Sequence, residues 1–230
     1  MAVHVGVIAR APSSVGKTRL TSGLAPAEAC ALRAALLSDT LAVVGSTGVP
    51  CTVFFTPDDA RDEMARAAGH GLGLVPQGAG DLGVRMQRAF AAMFAMGAKC
   101  AVVVGSDLPS LPPAYVTEAF ARLTVGDDVV VGPAEDGGYY LIGLTARRWS
   151  DGTSVPSASP FRTLFEGMRW SEPDVLVRTR ERASTAGLRV GMLDAWHDVD
   201  IPADLARVGD GAEPASQTRA WLASISRAWP

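Results

Sequence analysis

The chain has 230 residues, 48% of them hydrophobic, with 21 Lys and Arg against 24 Asp and Glu for a formal net charge of −3. That length suits one sizeable core, and the near-balanced charge argues against a nucleic-acid partner held by bulk electrostatics. No apolar run reads as a membrane span and the N-terminus lacks the basic start and long apolar core of a secretion signal, so the expected location is the cytoplasm.

Short β-branched runs alternate with helical patterns along the chain. V-H-V-G-V-I-A (3–9), C-T-V-F-F-T (51–56), G-L-V (73–75), C-A-V-V-V-G (100–105) and D-V-V-V-G (128–132) read as buried parallel strands. Between them, Pro26 to Val44 places Leu32, Leu36, Leu37, Leu41 and Val44 on one helical face. Asp81 to Met96 and Pro112 to Leu123 repeat that pattern, the latter opening on prolines that a helix start tolerates. This β-α-β-α order predicts a doubly wound α/β sheet with ligands at the carboxyl ends of its strands. After Tyr139-Tyr140-Leu-Ile-Gly-Leu the rhythm changes. Residues 150–160 form a loop that is either a plain connector or a lid. G-L-R-V-G-M-L (187–193) reads as one more strand and Pro202 to Val208 as a short helix. The expected domain is 1–208. A polar linker and a final helix follow over 209–230, with Trp221, Ile225 and Trp229 facing either the domain or the second subunit of a homodimer.

Three scattered cysteines, Cys30, Cys51 and Cys100, have no C-x-x-C spacing and read as reduced, core-filling thiols. His4, His70 and His197 are isolated and give no zinc pattern.

Residues 10–19, R-A-P-S-S-V-G-K-T-R, contain A-x-x-x-x-G-K-T, one methyl group from a P-loop. A P-loop feeds directly into a helix that carries its Lys and Thr. Here Gly23 and Pro26 break any such helix after two turns, and the convincing helix starts at Pro26 with Glu28 in its first turn. The loop still offers Lys17 and Arg19 to a diphosphate. No carboxylate lies between Met1 and Ala27, whereas Ala101 to Tyr140 holds six with a single Arg122. A cationic and an anionic segment in one domain suit an anionic ligand bridged by a divalent cation, with Asp107, just past a central strand, as its ligand. Two unrelated solvated surfaces are the alternative.

Three further segments, G-S-D-L-P-S-L (105–111), G-P-A-E-D-G-G-Y-Y-L-I-G-L (132–144) and D-V-D-I-P-A-D-L (198–205), follow in order. With them the chain resembles the bacterial GT-A-type glycosyltransferases of mostly unassigned substrate, a group with a branch linked to arsenosugar biosynthesis. These are similar in fold to the molybdenum-cofactor and phospholactate guanylyltransferases. Q-G-A-G-D-L-G-V-R-M (77–86) and M-R-W-S (168–171) match as well, and coverage runs from about residue 3 to 206. The resemblance implies a Rossmann-like GT-A fold that binds a nucleoside diphosphate-sugar or a nucleoside triphosphate with Mg²⁺ or Mn²⁺. It places Lys17 and Arg19 at the phosphates, and Asp107 at the metal with Asp200 completing the site. Three departures stand out: a phosphate loop shorter than the family form, Leu108 in place of the usual Cys, and Ile201 in place of Thr.

The donor-binding set then comprises Ala9, Arg10, Ala11, Lys17, Arg19, Arg85, Ser106 and Asp107. Asp136 or Glu135 would deprotonate a small-molecule acceptor, with Lys17 assisting departure of the leaving group. Each has a plainer reading: Asp107 as a helix cap, Arg85 as a surface ion pair, Glu135 to Gly138 as a hairpin turn, Trp170 and Tyr139 as core, and Asp198 as a support for Asp200. The expected function is metal-dependent glycosyl transfer from a nucleotide-sugar. Nucleotidyl transfer to a phosphorylated small molecule, a P-loop ATPase or kinase, and a non-catalytic nucleotide-binding protein are the alternatives.

Overall fold

The computed structural model describes residues 2–69, 71–149, 159, 161–210 and 215–225. The loop at 150–160 considered as a lid, and Trp229, lie outside these residues apart from Ser159.

Seven strands form one sheet in the order β3-β2-β1-β4-β6-β5-β7. They are β1 (Val3–Arg10), β2 (Cys51–Thr56), β3 (Gly73–Pro76), β4 (Cys100–Gly105), β5 (Val129–Pro133), β6 (Tyr139–Thr145) and β7 (Val190–Met192). All six strands expected from the sequence are present. The seventh, β6, runs antiparallel to both β4 and β5. The sequence registered it only as a change of rhythm. Its direction follows from the connection, because five residues after β5 suffice for a hairpin but not for a parallel crossover. The fold is therefore mixed α/β with a mostly parallel sheet. Its winding reverses between β1 and β4, which pair in parallel while β2 and β3 lie on the other side of β1.

Neighbouring side chains on the central strands leave the sheet in opposite directions. Val102 and Phe55 enter one core with Leu37, Leu41 and Phe120, whereas Val103 and Phe54 enter a second with Phe90, Met93 and Phe165. Helices α1 (Pro26–Ser46), α2 (Arg61–Ala68) and α4 (Pro113–Val125) cover the first face. Helices α3 (Leu82–Ala95), α5 (Arg162–Phe165) and α6 (Val175–Thr185) cover the second. Sequence periodicity missed α2 and α6 for a physical reason. Only Met64 of α2 is buried, and the buried stripe of α6 is Val175, Thr179 and Ala183, a line interrupted by a hydroxyl. Helix α1 corrects another expectation: by length and composition it could cross a membrane. It is instead a core helix, more than half buried, with Asp39 and Thr40 among its buried residues. Of the thiols, Cys100 is buried, while Cys30 and Cys51 are half-buried.

Helices α7 (Asp204–Asp210) and α8 (Ser216–Ser224) complete the chain. A third core cluster joins Leu20, Leu32, Leu36, Val199, Leu205 and Trp221, with Ile225 partly buried against it. The first turn of α8 has no side-chain cap of its own, since Ala215 stands at that position. The buried Asp39 carboxylate of α1 supplies one, accepting from Gln217 N (3.0 Å), Thr218 N (2.7 Å) and Thr218 Oγ1 (2.7 Å). A carboxylate at a helix N-terminus also meets the positive end of the helix dipole. Asp39→Ala leaves three donors in a dry interface unpaired and is expected to cost about 2–3 kcal/mol in urea denaturation. Asp39→Asn retains part of the cap and should cost less.

Candidate functional site

The chain leaves β1 at Arg10 and turns irregularly until α1 begins at Pro26. Because no helix starts at Lys17, the P-loop alternative is removed: no helix N-terminus faces a phosphate there. Three anchors hold the loop instead. Ser13 donates through N and Oγ to the Glu63 carboxylate (both 2.6 Å), Arg33 Nε donates to the Pro12 carbonyl (2.6 Å), and Leu20 is fully buried. Leu20 shares its cluster with Val199, and this hydrophobic contact carries Lys17 and Arg19 toward Asp198 and Asp200.

Lys17 is the centre of the arrangement. Its Nζ lies 3.1 Å from Asp107, 3.4 Å from Asp198 and 3.4 Å from Asp200, and it donates to the Val199 carbonyl at 2.8 Å. Val199 N–H in turn donates to the Asp107 carbonyl (3.0 Å), which joins the segment after β4 to the 198–200 segment. Burial disfavours the ammonium, but the three carboxylates outweigh it and raise the Lys17 pKa above its ordinary value. Burial pushes the Asp198 carboxyl up, Lys17 pulls it down, and Asp107 and Asp136 raise it further. Lys17 also has φ +53, a left-handed backbone that a β-carbon disfavours by about 1–3 kcal/mol. Arg19 is mostly exposed and pairs with Asp200 at 3.2 Å.

These three aspartates supply hard oxygen donors of the kind Mg²⁺ and Mn²⁺ prefer. They converge on an ammonium, and among the described residues no group of three or more acidic, His or Cys side chains is closed around one point as metal ligands. Ligation at roughly 2.1 Å would need each oxygen to draw inward by about 1 Å, a shift within reach of rotamer adjustment in half-exposed side chains. The donor set fits a divalent cation once Lys17 moves aside. Asp198, read from sequence as a support, belongs to the cluster directly.

Two cavities meet at Asp107. On one side a cleft of about 390 Å³ is lined by Ala9, Arg10, Gln77, Arg85, Ser106 and Asp107. Arg85 reaches back to the Gly80 carbonyl (3.0 Å) rather than to an acidic partner, and its Nη1 is 3.5 Å from Gln77 Oε1. Gln77, which the sequence did not single out, is buried and donates to the carbonyls of Ala9 (2.9 Å) and Phe54 (2.7 Å), so it tethers the carboxyl ends of β1 and β2. Ala11 does not line this cleft. It is fully buried and its N–H is committed to the Thr56 carbonyl at 2.8 Å.

On the other side lies a smaller cavity of about 220 Å³ against Asp107, Asp136, Asp198, Trp170 and Glu172. The β5–β6 hairpin shapes it. Gly137 takes φ +90, and a β-carbon there would lie 1.9 Å from the Pro173 carbonyl oxygen, so only glycine lets the 170–175 segment close on Asp136. Gly83 does the same for Trp170, whose ring would meet a β-carbon at 2.9 Å. The Glu135 to Gly138 turn is a hairpin, closed by Ala134 N–H to the Gly138 carbonyl, and Asp136 faces the cavity. Glu135 is not directed there. Its carboxylate is paired with Arg207 at 2.8 Å and lines a neighbouring cleft with Asp136, Asp198 and Asp200.

Residues 40–172, more than half of the chain, match the model of a family described as an uncharacterized protein conserved in bacteria, DUF2064. The chain belongs to the DUF2064 family. It is 27% identical over 225 residues to the 2-phospho-L-lactate guanylyltransferase of Natrialba magadii, covering 88% of this chain and 86% of that protein. A solved structure from Desulfovibrio desulfuricans G20, provisionally designated a nucleotide-diphospho-sugar transferase, superposes with a TM-score of 0.83 at 28% identity, covering 96% and 94% of the two chains. The 4-diphosphocytidyl-2C-methyl-D-erythritol synthase of Anaerococcus prevotii, at 9% identity and TM-score 0.58 over 96% of each chain, shares the fold. This DUF2064 chain is thus a transferase of the nucleotidyl or nucleotide-sugar kind. The arsenosugar branch of the resemblance is narrower than these relatives support.

The raised Lys17 pKa sets a pH dependence. Its stabilising contribution is complete below the ordinary lysine value of 10.5 and is lost as pH rises through the higher folded-state value. Thermal melting of wild type and Lys17→Met between pH 8 and 11 is expected to show a wild-type advantage that shrinks only at the alkaline end.

Proposed function

We propose that the protein is a nucleotidyltransferase that binds a nucleoside triphosphate across the carboxyl ends of β1 and β4 and passes its nucleotidyl group to a small acceptor, releasing pyrophosphate. The observation that carries this reading is the Lys17 ammonium held by Asp107, Asp198 and Asp200 where the winding of the sheet reverses, between an Arg-lined cleft and a half-open acidic cavity. Open α/β sheets bind ligands at that crevice. The sequence put glycosyl transfer first. The guanylyltransferase relative, aligned over most of both chains, moves nucleotidyl transfer ahead.

In this reading the cleft takes the nucleoside and its phosphates, with Arg10 and Arg85 lining the anionic part. Asp107, Asp198 and Asp200 would hold Mg²⁺ or Mn²⁺, which supplies charge neutralisation on the phosphates and the leaving group. Lys17, released from those carboxylates, is the ammonium that reaches a donor phosphate, with Arg19 beside it. Asp136 accepts the proton of the acceptor hydroxyl. A second reading, glycosyl transfer from a nucleotide-diphospho-sugar, uses the same donor contacts and is favoured by the Desulfovibrio structure.

Product analysis separates the two. Incubation with each nucleoside triphosphate, Mg²⁺ or Mn²⁺ and a panel of small acceptors is expected to release pyrophosphate. Release of nucleoside diphosphate from a nucleotide-sugar, without pyrophosphate from any triphosphate, supports the second reading instead. Asp107→Asn is expected to lower kcat/KM by about 100-fold or more, the scale of losing charge stabilisation at a reacting phosphate. Full turnover by that variant would remove Asp107 from the mechanism.

A further inference from the structure

The two cavities that share Asp107 differ in sign. The cleft presents Arg10 and Arg85, balanced by Asp81 and Asp107. The smaller cavity is lined by Asp107, Asp136, Glu172 and Asp198, with no Lys, Arg or His among its described lining residues. Lys17, in contact with the lining residues Asp107 and Asp198, is already shared among three carboxylates, and Arg19 pairs with Asp200. A divalent cation added to the cluster still leaves this side negative, because five carboxylates face two cationic side chains.

The apolar part of the wall has a definite shape. Trp170, Tyr139, Tyr140 and Leu82 surround a space of about 220 Å³, room for one six-membered ring with its substituents. Trp170 contributes ring surface to this wall, while its Nε1–H is buried and has no hydrogen-bond partner among the described residues. Ser171, between Trp170 and Glu172, takes φ +68, a left-handed backbone unfavourable for serine, and it too lines the cavity. Strained backbone in a cavity wall is characteristic of sites where geometry is imposed by ligand recognition.

We propose that this cavity is the acceptor subsite and selects a hydroxyl-bearing ring that is uncharged or carries an amine, against acceptors bearing phosphate or carboxylate groups. The inference rests on the reading of the Arg-lined cleft as the nucleotide site. A sugar ring offers a C–H face for Trp170 and hydroxyl donors for Asp136 and Glu172. An amine on that ring adds attraction to the carboxylates and to the indole face. A phosphate in the same place would meet Asp136 and Glu172, with no Lys, Arg or His among the described lining residues to offset them. The acceptor class therefore differs from the phosphorylated one expected from the sequence for a nucleotidyl transfer, and from the one named for the guanylyltransferase relative.

The full-length protein is titrated in calorimetry first with each nucleoside triphosphate and with GDP- and UDP-sugars in the presence of Mg²⁺. The complex is then titrated with glucose, glucosamine, glucose 6-phosphate and 2-phospholactate. Glucosamine and glucose are expected to bind at least about tenfold more tightly than either phosphorylated probe. Glu172 is exposed, so Glu172→Gln should spare the fold, and it is expected to narrow that gap by roughly three- to tenfold without changing nucleotide affinity. If no nucleotide binds, the underlying reading of the cleft falls. If nucleotides bind but a phosphorylated probe is preferred, or none of the four probes binds, the acceptor inference is overturned while the cleft reading stands.

Discussion

One ammonium organises the catalytic end of this molecule. Lys17 stands among Asp107, Asp198 and Asp200, and without a cation between them these carboxylates would repel one another at the crevice. The backbone reinforces the contact, since Val199 receives Lys17 at its carbonyl and gives its N–H to Asp107. Three segments far apart in sequence, the loop after β1, the turn after β4 and the stretch before α7, are therefore held by one charge and one residue's peptide groups. Because a positive charge is needed there, whatever releases Lys17 must leave another cation in its place. In the proposed function, this exchange would link cation binding to the freeing of Lys17 for a phosphate.

The same end of the sheet explains the sign change between the two cavities. Arg10 continues β1 and Arg85 rises from α3, both on the β2 side of Asp107. Asp136 comes from the β5–β6 hairpin and Glu172 from the segment folded onto it, both on the far side. The antiparallel β6 is what inserts that hairpin beside β4, and Gly137 lets the 170–175 segment approach it.

Much of this was legible in the sequence, and what was not has identifiable causes. The central strands were readable because their β-branched runs are buried, while β3, read as buried, is a half-exposed edge strand; α1, α3 and α4 were readable because their leucine and aromatic stripes are continuous. The antiparallel strand was obscured because a buried strand has the same composition whichever way it runs. Lys17, Arg19, Asp107 and Asp200 could be named from motif and charge asymmetry, and the structure brings all four together. Glu135 and Asp136 are adjacent in sequence and indistinguishable in chemistry. Only the hairpin geometry, with Arg207 supplied from α7, pairs one with that arginine and turns the other to the cavity. Gln77 escaped notice because its role is to satisfy two backbone carbonyls, a task that leaves no pattern in a single sequence.

The terminal helix belongs in this account of the site, although it contributes no side chain to either cavity. Trp221 of α8 shares a cluster with Leu20 from the Lys17 loop and with Val199 from between Asp198 and Asp200. The cluster is closed by Asp39, which fixes the start of α8 against α1. The string G-K-T sits here on a loop held by hydrophobic side chains, whereas in a P-loop it would be held by helical hydrogen bonds. A loop anchored at Leu20 with a strained Lys17 can rotate that side chain without unwinding any element. The helix that a P-loop would need is absent, and α8, through Leu20 and Val199, supplies the rigidity from the other end of the chain.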